Sequence, residues 1–180
     1  MNICVYGAAS GKIDECYISA AKELGWEIGK RGHSLVFGGG GAGVMGAVAR
    51  GVKETGGNIC GVCPEFFRKG DIEELYGGCT EMIWTETMEE RKVKMESLAD
   101  AFIIAPGGLG TMDECFEVLT HRQLQFYAKP VAFFSTKGFY EPLTDFLHSL
   151  AERQFLHIRP EELYKCMEDP CKVLDYLENK

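Results

Sequence analysis

The sequence lacks any long apolar run, and nowhere does it approach the ~18 uninterrupted apolar residues of a membrane span. Residues 1–7 carry no basic segment and reach a glycine after a short apolar run, which is not the pattern of a secretory signal. We therefore expect a cytoplasmic protein that makes no contact with a membrane.

An excess of basic residues is missing as well. The chain has 19 Lys and Arg against 27 Asp and Glu, a formal net charge of −8 at pH 7. General binding of nucleic acid is therefore not expected, because it needs a basic face that neutralises many phosphates. One small phosphate ligand is compatible with this charge, provided that its site gathers local positive potential.

The ligand sets of structural metal sites are also missing. The pair Cys60 and Cys63 forms a CxxC, but no second CxxC and no neighbouring Cys-His pair completes a tetrahedral set. The pair lies in a strand-like run, where residues i and i+3 point to opposite faces. With 46% hydrophobic residues the chain has enough apolar material for a core, so its eight cysteines are interpreted as mostly buried thiols. We expect no metal and no cofactor.

Short apolar segments alternate with amphipathic ones along the chain. The expected strands are residues 2–6, 34–37, 58–63, 81–85, 101–105, 131–135 and 163–167. The expected helices are residues 13–28, 44–55, 86–99, 111–125, 140–154 and 171–177, and residues 65–78 are expected to form a loop with one short helical turn. This order predicts an α/β fold: a Rossmann-like, doubly wound parallel sheet with helices on both faces. No repeat or linker divides residues 1–180, so one nucleotide-binding domain is expected.

Three of the expected strands end in glycine-rich loops that lead into helices, after Tyr6, Phe37 and Ala105. Glycines let backbone N–H groups approach an anion, and a helix N-terminus favours negative charge. Any one loop is explained as well by a tight turn, but three neighbouring strand ends favour a nucleotide site beyond the carboxyl ends of the strands. Candidate contacts are Ser10 in the first loop and Gly40 and Gly41 in the second.

The second loop also contains a formal GxGxxG, from Gly41 to Gly46. A dinucleotide fold would place an acidic residue about 20 positions further on, near Glu65. Because Pro64 intervenes and the motif alone is weak, binding of NAD is a minor alternative.

The third loop is the most specific of the three. It places three glycines and a hydroxyl group at a helix entry, in the order Gly107, Gly108, Leu109, Gly110, Thr111. Thr111 is expected to cap the helix or to bond a phosphate oxygen, and Glu114 follows it at capping-box spacing. A carboxylate in the first turn of this helix would face the same crevice as the anion.

A cationic pair precedes this loop. Met88, Arg91, Lys92 and Met95 recur at i, i+3, i+4 and i+7, which is one side of a helix. A solvated basic patch with snorkelling stems is one interpretation. The other is that Arg91 holds a phosphate or ribose and steadies Glu114 as a carboxylate.

Taken together, Arg91-Lys92, the loop of residues 106–111 and Glu114 resemble the signature of the Lonely Guy (LOG) family of cytokinin riboside 5′-monophosphate phosphoribohydrolases and related nucleotide nucleosidases. The resemblance extends over nearly the whole chain, including residues 3–7, 36–46, 61–64 and 129–131. It implies a Rossmann-like homodimer with active sites near the subunit interface.

The resemblance also implies roles for individual residues. Arg91 and Glu114 match the catalytic pair of the family. Nucleotide-binding residues are matched by Lys92 and by residues 107–111, and Thr120 matches a further ligand contact. Asp71 stands where the family commonly has a glutamate, and the first loop around Ser10 has fewer hydroxyls than is usual.

The implied reaction is hydrolysis of the N-glycosidic bond of a nucleoside 5′-monophosphate, AMP or an N6-modified AMP, which gives free base and ribose 5-phosphate. The alternative is a binding protein similar to the molybdenum-cofactor carriers, which hold a phosphorylated pterin without hydrolysing it. The family has also carried a lysine decarboxylase label, but no lysine in this sequence has an evident pyridoxal-phosphate setting.

Overall fold

The computed structural model describes residues 1–69 and 74–180, and these residues form a seven-stranded sheet. Its strands are β1 (Asn2–Tyr6), β2 (Ser34–Phe37), β3 (Ile59–Pro64), β4 (Glu81–Thr85), β5 (Ala101–Ile104), β6 (Val131–Phe134) and β7 (Lys165–Met167). Neighbouring strands are parallel throughout, in the order β4-β3-β2-β1-β5-β6-β7. The predicted α/β fold with a doubly wound parallel sheet is confirmed.

The helices are α1 (Glu15–Lys30), α2 (Gly43–Glu54), α3 (Glu65–Lys69), α4 (Met88–Leu98), α5 (Leu109–Gln123), α6 (Glu141–Glu152), α7 (Pro160–Leu163) and α8 (Pro170–Glu178). One core layer packs α1, α2 and α8 on one face of the sheet, and a second packs α4 to α7 on the other. Within β1, Ile3 and Val5 belong to the first layer, whereas Cys4 and Tyr6 belong to the second. Both faces of the sheet are thus buried, which explains the continuous apolar runs of its strands.

Side-chain caps set the start of several helices. The Asp14 carboxylate accepts a hydrogen bond from the Cys16 amide at 2.9 Å, and α1 begins between these two residues. The Thr87 hydroxyl accepts from the Glu90 amide at 3.1 Å, so α4 begins at Met88 rather than at Glu86. Each cap satisfies a backbone N–H that has no partner within the helix.

Some predicted boundaries were wrong. The strand predicted at residues 58–63 lies one residue further along, at Ile59–Pro64, and its last residue, Pro64, is paired in register with Thr85. The predicted strand at residues 163–167 is shorter, because Leu163 ends the short helix α7. The expected helical turn after Pro64 is α3, and the expectation for residues 70–73 lies outside the described residues.

The strand order reverses between β1 and β5, which are neighbours in the sheet. The loops that follow these two strands lie side by side, joined by a hydrogen bond from the Ala8 amide to the Pro106 carbonyl at 3.0 Å. Open parallel sheets form their ligand crevice at such a switch point. Of the helices in the two described ranges, none combines the length and apolar character that a membrane crossing requires.

Candidate active site

A cavity of about 340 Å³ opens at the carboxyl ends of the central strands. The loops after β1, β2 and β5 and the start of α5 supply its glycine and alanine lining, and α4 and α5 supply its charged side chains. It is lined by Gly7, Ala8, Ala9, Ser10, Gly38, Met45, Cys63, Phe67, Met88, Arg91, Gly108, Gly110, Thr111 and Glu114. The cavity therefore combines an ion pair, an open helix end and a wall of apolar and sulfur-containing side chains.

Arg91 and Glu114 meet in this cavity. Nη1 of Arg91 lies 2.9 Å from Oε1 of Glu114, and the two side chains are only 11% and 9% exposed. Nε of Arg91 donates a second hydrogen bond to the Val62 carbonyl at 3.2 Å, which anchors the guanidinium to the end of β3. Met88 lines the cavity and Met95 is fully buried, so this side of α4 faces inward and is not a solvated patch.

The environment of Glu114 keeps its carboxyl group partly protonated at neutral pH. Burial raises its pKa from 4.5 to about 7, because the charged form loses its hydration. The positive charges of Arg91 and Lys92 oppose this shift, and the negative charge of Asp113 adds to it. A carboxyl group that titrates near 7 is suited to accept or donate a proton under physiological conditions.

The N-terminus of α5 opens into the cavity through Gly108, Gly110 and Thr111. The helix begins at Leu109, two residues before the predicted start, and Gly108 is the N-cap with no side-chain capping bond. The predicted capping box was therefore wrong: Thr111 is the third residue of the helix, and Glu114 lies in its second turn. The glycines allow this earlier start, since a β-carbon at Gly107 would overlap the buried Thr111 hydroxyl. The first amides of α5 have no partner within the helix, so they are available to an anion.

The second glycine loop is occupied by the protein itself. The Gly41 amide donates to the Glu74 carbonyl at 2.6 Å, and Gly40 forms a bridge with Leu75. Gly40 and Gly41 do not line the cavity, and a ligand contact by either stays a prediction. Glu65, the acidic residue that a dinucleotide site would need, begins α3 and lies 3.8 Å from Arg68.

Other predicted site residues lie outside the cavity lining. Nζ of Lys92 is held by Asp113 at 3.1 Å and by Glu117 at 2.6 Å, both on α5. Leu109 is 90% exposed, and Thr120 is exposed further along the same helix. Their ligand contacts stay predictions, and Asp71 lies outside the described residues.

Two predicted contacts lie where the cavity continues. Gly107 lines an adjoining apolar cavity of about 320 Å³, which shares Ala8, Ser10 and Gly108 with the first. The Ser10 hydroxyl accepts a hydrogen bond from the Lys12 amide at 3.3 Å and is exposed at the mouth.

Sequence reasoning missed several lining residues. Gly7 and Gly38 immediately follow β1 and β2, and that position alone was a usable signal. Met45 and Phe67 gave no such signal, because only the packing of α2 and α3 brings them to the cavity. Within residues 1–69 and 74–180, no three His, Cys, Asp or Glu side chains are grouped so that they could hold a metal ion.

Comparison with sequence families gives one family model, described as "Possible lysine decarboxylase", which matches residues 45–177. Two similar curated proteins are cytokinin riboside 5′-monophosphate phosphoribohydrolases. LOG5 of Arabidopsis thaliana is 38% identical over 178 residues, covering 98% of this chain and 76% of that protein. LOG of Oryza sativa subsp. japonica is 40% identical over 155 residues, covering 86% of this chain and 63% of that protein.

Solved structures of similar fold include the molybdenum cofactor carrier protein of Chlamydomonas reinhardtii, with a TM-score of 0.75, 24% identity, and coverage of 99% of this chain and 98% of that one. The molybdenum cofactor binding protein of Rippkaea orientalis gives a TM-score of 0.71 at 18% identity, with coverage of 99% and 94%. At these identities the likeness shows a shared fold alone.

Proposed function

The chain belongs to the LOG family, and from this premise we propose that it hydrolyses the N-glycosidic bond of nucleoside 5′-monophosphates. The substrate is AMP or an N6-modified AMP such as a cytokinin riboside monophosphate, and the products are the free base and ribose 5-phosphate. The observation that carries the proposal is the buried Arg91–Glu114 pair, which faces the cavity beside the open N-terminus of α5.

Binding begins at the phosphate. The first amides of α5 and the Thr111 hydroxyl hold the 5′-phosphate, where the helix dipole favours a dianion despite the net charge of −8. The base lies against the apolar wall formed by Met45, Phe67 and Met88. Binding energy from both ends of the nucleotide then places the anomeric carbon at Glu114.

Cleavage of the bond between C1′ and the base nitrogen builds positive charge on the ribose and negative charge on the departing base. The Glu114 carboxylate stabilises the ribosyl cation and accepts a proton from the water whose oxygen attacks C1′. The departing base takes up a proton from bulk water, Glu114 returns the proton that it accepted to bulk water, and the hydroxyl remains on ribose 5-phosphate. Arg91 holds Glu114 in the orientation that this transfer needs.

The direct test is incubation of the purified protein with AMP and chromatography for adenine. Glu114→Ala and Arg91→Ala should each abolish release of the base. Glu152→Ala and Arg153→Ala, at exposed positions at the end of α6, are matched controls that should retain it. Near-normal hydrolysis in either site variant would refute the assignment of that residue. A shift to higher melting temperature with AMP, without release of adenine, would favour the binding-protein alternative.

A substrate panel separates the possible bases. AMP, CMP, GMP and N6-isopentenyl-AMP share the phosphate and ribose and differ in the part that meets the apolar wall. Comparison of kcat/KM across the panel assigns the base preference.

A homodimer and a cytoplasmic location are part of the same proposal. Large apolar side chains lie exposed on or just after α5, namely Leu109, Phe116, Leu124 and Phe126. Burial of such side chains stabilises an interface between copies of one chain. Light scattering of the purified protein tests the dimer, and cell fractionation tests the location.

A further inference from the structure

The guanidinium of Arg91 occupies a slot that is closed on three sides. Nη1 meets Glu114 on one side, and Nε meets the Val62 carbonyl on another. The third side is Gly38, where a β-carbon would overlap Nη2 of Arg91 and lie 3.1 Å from its Cζ. The same β-carbon would lie 3.3 Å from Sδ of Met45, so it would be crowded on that side as well.

The backbone does not explain this glycine. Gly39 has a φ of +84°, a value that disfavours other residues, but Gly38 is not among the glycines with positive φ. An alanine would therefore fit the backbone conformation at position 38. What it would not fit is the space that the guanidinium fills.

The neighbouring glycines have other tasks. The Gly39 carbonyl accepts a hydrogen bond from the Tyr76 amide at 2.8 Å. Gly40 forms a bridge with Leu75, and the Gly41 amide donates to the Glu74 carbonyl. Of the run from Gly38 to Gly41, only Gly38 lines the cavity.

We infer that Gly38 is a positioning residue, whose missing β-carbon creates the slot that holds the Arg91 guanidinium against Glu114. The first glycine after β2 thus serves an arginine of the protein rather than a phosphate of the ligand. The slot itself stands on geometry, whereas its effect on turnover rests on the proposed function.

Gly38→Ala pushes the guanidinium away from Glu114. A displacement on the order of 1 Å at a catalytic group lowers turnover by about a hundredfold. The loss should lie mainly in kcat, because the phosphate-binding end of α5 is untouched. Gly77→Ala is the matched control: it too lacks a positive φ, and a β-carbon there would meet nothing within 4 Å. Its kcat should stay within about twofold of wild type.

A second readout does not require activity. The charged groups that act on Glu114 are Arg91 and Lys92 on α4 and Asp113 on its own helix. Cys4 and Tyr6 of β1 are kept neutral, because burial raises the pKa of each. Titration of ¹³C-labelled glutamate by NMR, with the Glu114 signal identified from its loss in Glu114→Gln, follows this group directly. Gly38→Ala should raise the pKa of Glu114 by about half a unit or more in the wild-type background. In an Arg91→Ala background it should cause no further change, because the overlapping group is gone.

These experiments distinguish a failure of the proposed hydrolysis from a failure of the positioning role of Gly38. If the wild type releases no base from AMP, the proposed function fails, and the NMR cycle still decides the slot. An unchanged pKa and kcat in Gly38→Ala, or an equal pKa shift in both backgrounds, would overturn the inference. If Gly38→Ala fails to fold, the double variant Gly38→Ala with Arg91→Ala should fold, because the second substitution removes the steric conflict. A misfolded double variant would also overturn the inference.

Discussion

Replacement of Glu114 by glutamine should make the protein more stable at neutral and alkaline pH while it removes the proposed activity. The pKa of Glu114 rises from 4.5 in the unfolded chain to about 7 in the folded protein, because the carboxyl group is buried. Each pKa unit corresponds to about 1.4 kcal/mol, so the ionised side chain costs the folded state about 3 kcal/mol relative to the protonated one.

The direction of this change in stability with pH follows from proton uptake by Glu114. Between pH 4.5 and about 7 the folded protein binds a proton at Glu114 that the unfolded chain has released. The contribution of this group to the free energy of unfolding is therefore fully present below pH 4.5 and is lost as the pH rises through 7. Glutamine resembles the protonated side chain and cannot ionise. The stability advantage of Glu114→Gln over wild type should grow from near zero at pH 4.5 to about 3 kcal/mol near pH 8.

Urea unfolding, followed by circular dichroism at a series of pH values, measures this difference directly. Glu152→Gln, at an exposed position, is the control for the substitution itself. If the difference between Glu114→Gln and wild type is independent of pH, Glu114 has an ordinary pKa and the electrostatic account of the site is wrong.

Three further predictions concern the site and the end of the strand that leads into it. If the ionised carboxylate of Glu114 is the active form, kcat/KM for AMP rises with pH through about 7. Asp113→Asn removes a negative neighbour and should move this rise to lower pH. Lys92→Met removes a positive neighbour and should move it to higher pH. Equal displacement in both variants would contradict this. Thr111→Val should raise KM for AMP by about tenfold or more with kcat largely retained, since it removes one hydroxyl from the phosphate site. Thr144→Val on α6 is the control. An unchanged KM in Thr111→Val would exclude the contact between its hydroxyl and the phosphate. Tyr140→Phe should lower the free energy of unfolding by about 1 kcal/mol or more, because the buried hydroxyl donates to the Ala105 carbonyl at 2.7 Å. Urea titration measures this loss of stability. A much smaller loss would show that water replaces the hydrogen bond.

Periodicity located the sheet well because its strands are buried on both faces. β1, β2 and β4 have the boundaries that their apolar runs predict. Helix ends were harder, because they depend on caps. The start of α4 is set by the Thr87 hydroxyl, which accepts from the Glu90 amide, whereas the N-cap of α5 is Gly108, which offers no side chain as a signal. Such ends are set by a few hydrogen bonds, which leave little trace in hydrophobic patterning.

For the site, the sequence pointed to Arg91 and Glu114 through their place beside a glycine-rich helix entry, and the structure brings the two side chains together. Lys92 was matched to a nucleotide contact through the family resemblance, and that contact stays a prediction. In the structure its ammonium group bridges Asp113 and Glu117 on α5, because adjacent residues on a helix point about 100° apart and Lys92 does not follow Arg91 into the cavity lining.

By itself the sequence determined the parallel sheet, the glycine loops at its strand ends and the identity of the charged pair, because strand patterning and helix-entry chemistry are local properties of the chain. Only the tertiary structure decided which glycine faces which side chain. Position 38 needs a glycine because an arginine more than fifty residues away fills the space of its β-carbon. The raised pKa of Glu114 is decided in the same way, since burial is a property of the packed molecule and of no segment within it.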